Sequence, residues 1–141
     1  MERLIMIFSE ATCKMWTPRI LGILRIVVGF LFLQHGTAKW FGMPHVAMFD
    51  GMNMMSLIGA AGVLELAGGL LVCLGIFTRV AAFILSGEMA VGYFMVHAPQ
   101  GLLPILNQGE LAVMYCFVFL YLAVAGSGSY SVGALLCRKN K

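Results

Sequence analysis

Acids, bases and an imidazole stand in this chain where lipid-facing side chains belong. Glu65, Glu88 and Glu110 are three of its six acids, and each lies inside or at the edge of a long apolar run. Arg25, Gln34, His35 and Lys39 crowd into the first such run. An ionisable group at bilayer depth costs roughly 2.5–3.5 kcal/mol on insertion scales, so several in one small protein must turn toward one another. His35 and Lys39 are one helical turn apart and share a helix face, where they would hold an anionic or carbonyl group. Glu65, Glu88 and Glu110 would set the charge of those cations, and Glu65 and Glu88 could instead carry protons. His35 and His97 form a weaker pair, two imidazoles that could ligate haem iron from two helices. Nothing else in the sequence signals haem, and no metal site is expected. A purely structural reading stands beside each of these. Arg25, Glu65 and Glu88 could simply lock helix register, Lys39 could snorkel to the headgroups, and His35 could be a core histidine bonded to a neighbour.

The elements that position these groups follow from composition. Hydrophobic residues make up 61% of the 141 and charged ones 11%, against about 25% charged in a soluble domain. Mean hydropathy is +0.95. A soluble domain this short could not cover so much apolar surface, whereas lipid can face it. The expected fold is therefore all-α, a polytopic membrane protein built as one four-helix bundle. Spans are predicted at 19–41, 55–77, 79–97 and 109–125, near the ~20 residues that one crossing needs. Glycines and prolines separate them, and a tight hairpin at Gly75–Arg79 splits an apolar run too long for one helix. Residues 1–18 read as a surface-lying amphipathic helix or a tail, and 126–141 as a tail.

Basic residues orient the bundle. Arg3, Lys14, Arg19, Arg79, Arg138, Lys139 and Lys141 fall on one side, while 42–54 and 98–108 contain no lysine or arginine. Both termini are thus expected in the cytoplasm. The net charge of +3 comes from scattered helix-end residues and not from a nucleic-acid stripe. Counting along the spans places Arg25, Glu65 and Glu88 at mid-depth, with Arg25 in reach of either acid. Gln34, His35, Lys39, His97, Asn107 and Glu110 come out near the outer face. An outward-opening pocket would join the two layers. Gly22 to Gly29, Gly59 to Gly62, Gly68–Gly69 and Gly87 to Gly92 offer faces for close helix packing. The four cysteines show no CxxC spacing, and a thiol mechanism is not expected.

The sequence resembles the DoxX family along most of its length. The resemblance rests on LGILRIVVGFLFLQHGTAKWFG at 21–42, on 62–101, and on NQGELAVMYCFVFLYLAVAGSGSYSVGALL at 107–136. Within these, Arg25, the His35–Gly36–Lys39–Phe41–Gly42 ending, Glu65 with Gly68 and Gly69, the Gly75–Thr78–Arg79 turn, Glu88, and Asn107–Gly109–Glu110 match family motifs. The loop at 43–56 is the least family-like part. The resemblance implies a four-helix bundle in a bacterial or archaeal plasma membrane, with a loose link to quinone and redox chemistry. It implies an accessory or ligand-binding subunit, partnered by other redox subunits or by copies of itself, with quinone as the candidate cofactor. A small proton-coupled carrier, dimeric for want of room, is the alternative. A stand-alone enzyme is not expected, because no nucleotide fingerprint, haem motif or iron–sulfur cysteine spacing is present.

Overall fold

The computed structural model describes residues 9–139 and is helical throughout its spans. Helix α1 (Glu10–Phe41) opens on Ser9, whose hydroxyl accepts from Thr12 N, and closes on Gly42 at φ 62°. Helix α2 (Leu57–Leu74) opens on Ser56 and closes on Gly75 at φ 74°. Serine satisfies free N–H groups at a helix start, and a left-handed glycine ends one without a Cβ clash. Helix α3 (Thr78–Gly92) starts three residues later and runs on through a π turn, Tyr93–His97, and a 3₁₀ turn, Ala98–Gln100. Helix α4 (Glu110–Ala125) and the short α5 (Val132–Lys139) complete the chain.

Three helical stretches, Glu10–Phe41, Leu57–Leu74 and Thr78–Gln100, are long and apolar enough to cross a membrane. Helix α4 is apolar but has 16 residues. Its ends nevertheless match those of α3. Arg79, near the start of α3, donates to Ala123 O and Val124 O near the end of α4. His97, at the far end of α3, bonds Asn107 O just before α4 begins. The fourth helix therefore covers the thickness that the third does, and the bundle has four crossings.

At 32 residues, α1 is ~48 Å long, well beyond the ~30 Å hydrocarbon core. Residues 10–18, expected as part of a separate surface segment, are its first turns, and Pro18 does not break it. As the ninth residue of the helix, Pro18 leaves Lys14 O without its N–H donor, yet the helix continues past it. Trp16 with the Arg19 guanidinium 5.2 Å from its ring centroid, and the exposed Glu10–Lys14 ion pair, are side chains suited to an interface. Residues 1–8 of the expected segment lie outside the described residues.

Helix α1 packs along α2 through a glycine seam. A Cβ at Gly29 would stand 2.6 Å from Cys73 N, and one at Gly36 would stand 2.6 Å from Leu66 N. Seven-residue spacing keeps Gly29 and Gly36 facing Gly62 and Gly69, so the backbones touch. Gly87 and Gly92 face open space instead, which removes them from the expected packing surfaces. The core is Phe32, Val72, Ala82, Leu85, Phe119 and Leu122, with the Phe32 and Phe119 rings edge to face at 4.8 Å. Outside it, Val27, Phe30, Phe83, Phe117 and Val124 are exposed, a surface suited to acyl chains.

The start of α1 lies beside the turn after α4, where Ser129 N donates to Pro18 O at 2.8 Å. The described ends of the chain therefore share one end of the bundle, the arginine end. The loops 42–56 and 101–109 share the other.

Candidate functional site

At the loop end, between α1, α2, α3 and α4, lies a cavity of about 860 Å³. Phe32, Leu31 and Ala38 from α1, Met89 from α3, and Leu111, Ala112 and Tyr115 from α4 give it an apolar wall. Pro44, Val46, Met48 and Phe49 cover it from the first loop, which carries a short 3₁₀ turn at Ala47–Phe49. The polar groups reaching it are Gln34, His35, Glu65, His97, Gln100, Asn107, Gln108 and the Tyr115 phenol.

Helix geometry explains which acids meet. Glu65 is nine residues before the end of α2 and Glu88 ten after the start of α3, so both lie ~14–15 Å from the hairpin between them. Lys39 bends inward from α1, away from the headgroups, and its ammonium donates to Glu65 Oε1 at 2.6 Å. The Lys39 and Glu65 side chains are 10% and 4% exposed, so this pair is buried. The Phe49 ring covers the ammonium with its centroid 5.5 Å away. Glu88 interacts electrostatically with both members of the pair, as does His35. Both carboxyl oxygens of Glu88, and Glu65 Oε2, are buried with no hydrogen-bond partner among the described residues. The His35 ring lies 6.2 Å from Phe32 and 6.1 Å from Tyr115, edge to face with the latter.

Arg25 does not join the acids. It is fully buried, and four of its five donors go to main-chain carbonyls. Nε donates to Ser127 O at 2.9 Å, Nη2 to Tyr130 O at 3.0 Å, and Nη1 to Val72 O at 2.6 Å and to Cys73 O. The last carbonyls of α2 have no partner within the helix and carry its negative dipole end, which is why a buried cation settles there. Glu110 also lies apart, exposed in the first turn of α4 and off the cavity wall. An acid there complements the positive end of the helix.

Asn107 reaches the cavity, but its amide is spent on the loop. It is 2% exposed, donates to Gly101 O and to Tyr93 Oη, and accepts from Gly109 N at 2.8 Å. His97 is held beside it, donating from Nδ1 to Asn107 O at 2.9 Å. These contacts fix the loop between α3 and α4, which forms one rim. His35 and the side chains of Gln34 and Gln108 make no such bond among the described residues.

Sequence reasoning missed Tyr115, Gln100 and Gln108 and the covering loop. Tyr115, one of two tyrosines in the apolar span of α4, was the one available signal, since a tyrosine hydroxyl needs a partner when buried.

Comparison with known proteins agrees with this architecture. The DoxX family model matches residues 20–98. A Haemophilus influenzae protein is 46% identical over 119 residues, covering 81% of this chain and 88% of its own. CatD of Bacillus subtilis, a candidate oxidoreductase by name, is 28% identical over 109 residues, 74% of this chain and 78% of its own. The inner membrane protein YqjF of Escherichia coli is 28% identical over 126 residues, 83% of this chain and 92% of its own. No solved structure matches. With a family model over more than half of its length and a relative at 46% identity, this membrane protein belongs to the DoxX family.

Proposed function

We propose that the protein is an accessory, ligand-binding subunit whose cavity takes a flat, carbonyl-bearing ring of the quinone type. The observation that carries this reading is the cavity itself. Its volume of about 860 Å³ falls in the ~300–1,000 Å³ range of small-molecule sites. Its walls are mainly apolar, and the Phe32 and Tyr115 rings are among them. His35, Gln34, Gln108 and the Tyr115 hydroxyl bring polar groups that make no hydrogen bond to another described residue. His35 would donate to a ligand carbonyl, while Lys39 and Glu65 hold the wall behind it. The oxidoreductase in the name of CatD supports a redox setting, in which an electron-carrying partner subunit would act on the bound ring. The location named for YqjF supports an inner membrane. Lys14, Arg19 and Arg79 support a cytoplasmic arginine end.

Titration with a short-chain quinone in lipid nanodiscs tests the reading, with tryptophan fluorescence as the signal. Trp40 lies on α1 next to Lys39, its indole bonded to Gly59 O at 3.0 Å. Saturable quenching is expected, weakened about tenfold by His35→Ala, the equivalent of ~1.4 kcal/mol. No saturable quenching, and no quinone in an organic extract of the purified protein, would sink it.

The bare carboxyl oxygens of Glu88 are the one observation favouring a proton-coupled carrier. Proteoliposome flux unaffected by Glu88→Gln would remove that reading.

A further inference from the structure

Behind the cavity wall, carboxyl oxygens outnumber the donors that could satisfy them. Lys39 Nζ serves Glu65 Oε1. Glu65 Oε2 and both oxygens of Glu88 are left buried and unbonded, although Glu65 is only 3% exposed. The groups facing this cluster can be named helix by helix. Lys39 and His35 come from α1, Glu65 from α2 and Glu88 from α3. Tyr115 of α4, which carries no charge as a phenol, stands beside His35. With the His35 imidazole neutral, one ammonium opposes two carboxyls.

With both acids ionised, the cluster would hold an uncompensated negative charge in a membrane interior. Such an excess is strongly unfavourable unless a cation joins it. Three oxygens fall short of the roughly six that calcium or magnesium takes. A proton needs one. We propose that Glu65 and Glu88 together bind a single exchangeable proton, held at Glu88 and reached through Glu65, which alone of the two lines the cavity. The proton comes from water in the cavity and returns to it, and no electron moves. The site requires no occupant in the cavity, so it stands or falls apart from the quinone reading.

Infrared spectroscopy of the ligand-free protein in nanodiscs at neutral pH provides the test. Carboxyl groups exposed to water are ionised under these conditions and leave the carboxylic-acid C=O region clear. Wild type should show one such band, shifted in D₂O. Charge counting then predicts the variants. Glu88→Gln and Glu65→Gln each leave one carboxylate for one ammonium and should both abolish the band. Lys39→Met leaves two acids without a cation and should roughly double it. A wild type with no band at neutral pH would overturn the proposal without recourse to any variant. So would a band that persists in Glu88→Gln, or one that Lys39→Met diminishes.

Discussion

The two ends of this bundle treat buried charged groups in opposite ways. At the arginine end, the guanidinium donors are matched to main-chain carbonyls, although the Thr78 hydroxyl is buried there without a partner. Arg25 gathers four carbonyls from α2 and the turn after α4, and Arg79 takes two more from α4. Ser131 ties Gly75 O to the start of α5 through its hydroxyl. At the loop end, Lys39 and Glu65 are paired, but Glu88, His35, Gln34 and Tyr115 leave polar atoms unused around a cavity. A satisfied network fixes a fold, whereas unsatisfied groups in a membrane are retained at a cost that ligands or protons can offset. The first end is a structural lock, and the second is where the proposed site lies.

Substitutions should separate the two. The largest effect is expected at Arg25→Met, which removes a side chain serving four carbonyls. A loss of about 3–5 kcal/mol should appear as a collapse in thermal or denaturant stability in detergent, with little folded protein recovered. Lys39→Met should cost less, about 1–3 kcal/mol, because Glu65 can meet the loss by taking up a proton. Adding Glu65→Gln should restore most of it, and a double-mutant cycle on unfolding midpoints measures that coupling. The smallest stability change is expected at Tyr115→Phe, within about 0.5 kcal/mol, since the hydroxyl makes no hydrogen bond among the described residues. The same change should nevertheless weaken quinone binding in the fluorescence titration. If Tyr115→Phe destabilised the protein as much as Arg25→Met, the contrast between the ends would be lost.

Much of the fold is legible in the chain because lipid imposes simple demands on it. Apolar length gives the crossings, and the Gly75 turn shows that residues 55–97 must fold back on themselves. Equal counts from that turn bring Glu65 and Glu88 to one depth. Arg25 resisted the same arithmetic. Its partners are carbonyls, which every residue owns and no sequence pattern marks, and they come partly from a turn at 127–130 with no periodicity. Glu110 failed for a different reason. Helix α4 is apolar nearly all round, so no moment tells which side of its first turn faces inward. The covering loop, with Val46, Met48 and Phe49, has neither periodicity nor family pattern, and only its packing against the cavity reveals a use.

Thiol accessibility tests the contrast between the two ends most directly. Gln34 lines the cavity, while native Cys73 lies at the arginine end, its carbonyl bound by Arg25. With Cys13, Cys116 and Cys137 replaced by serine, Gln34→Cys should react with a water-soluble maleimide much faster than Cys73 does, and a short-chain quinone should protect it. Equal, slow labelling at both positions would contradict the account, because no cavity would then open at the loop end.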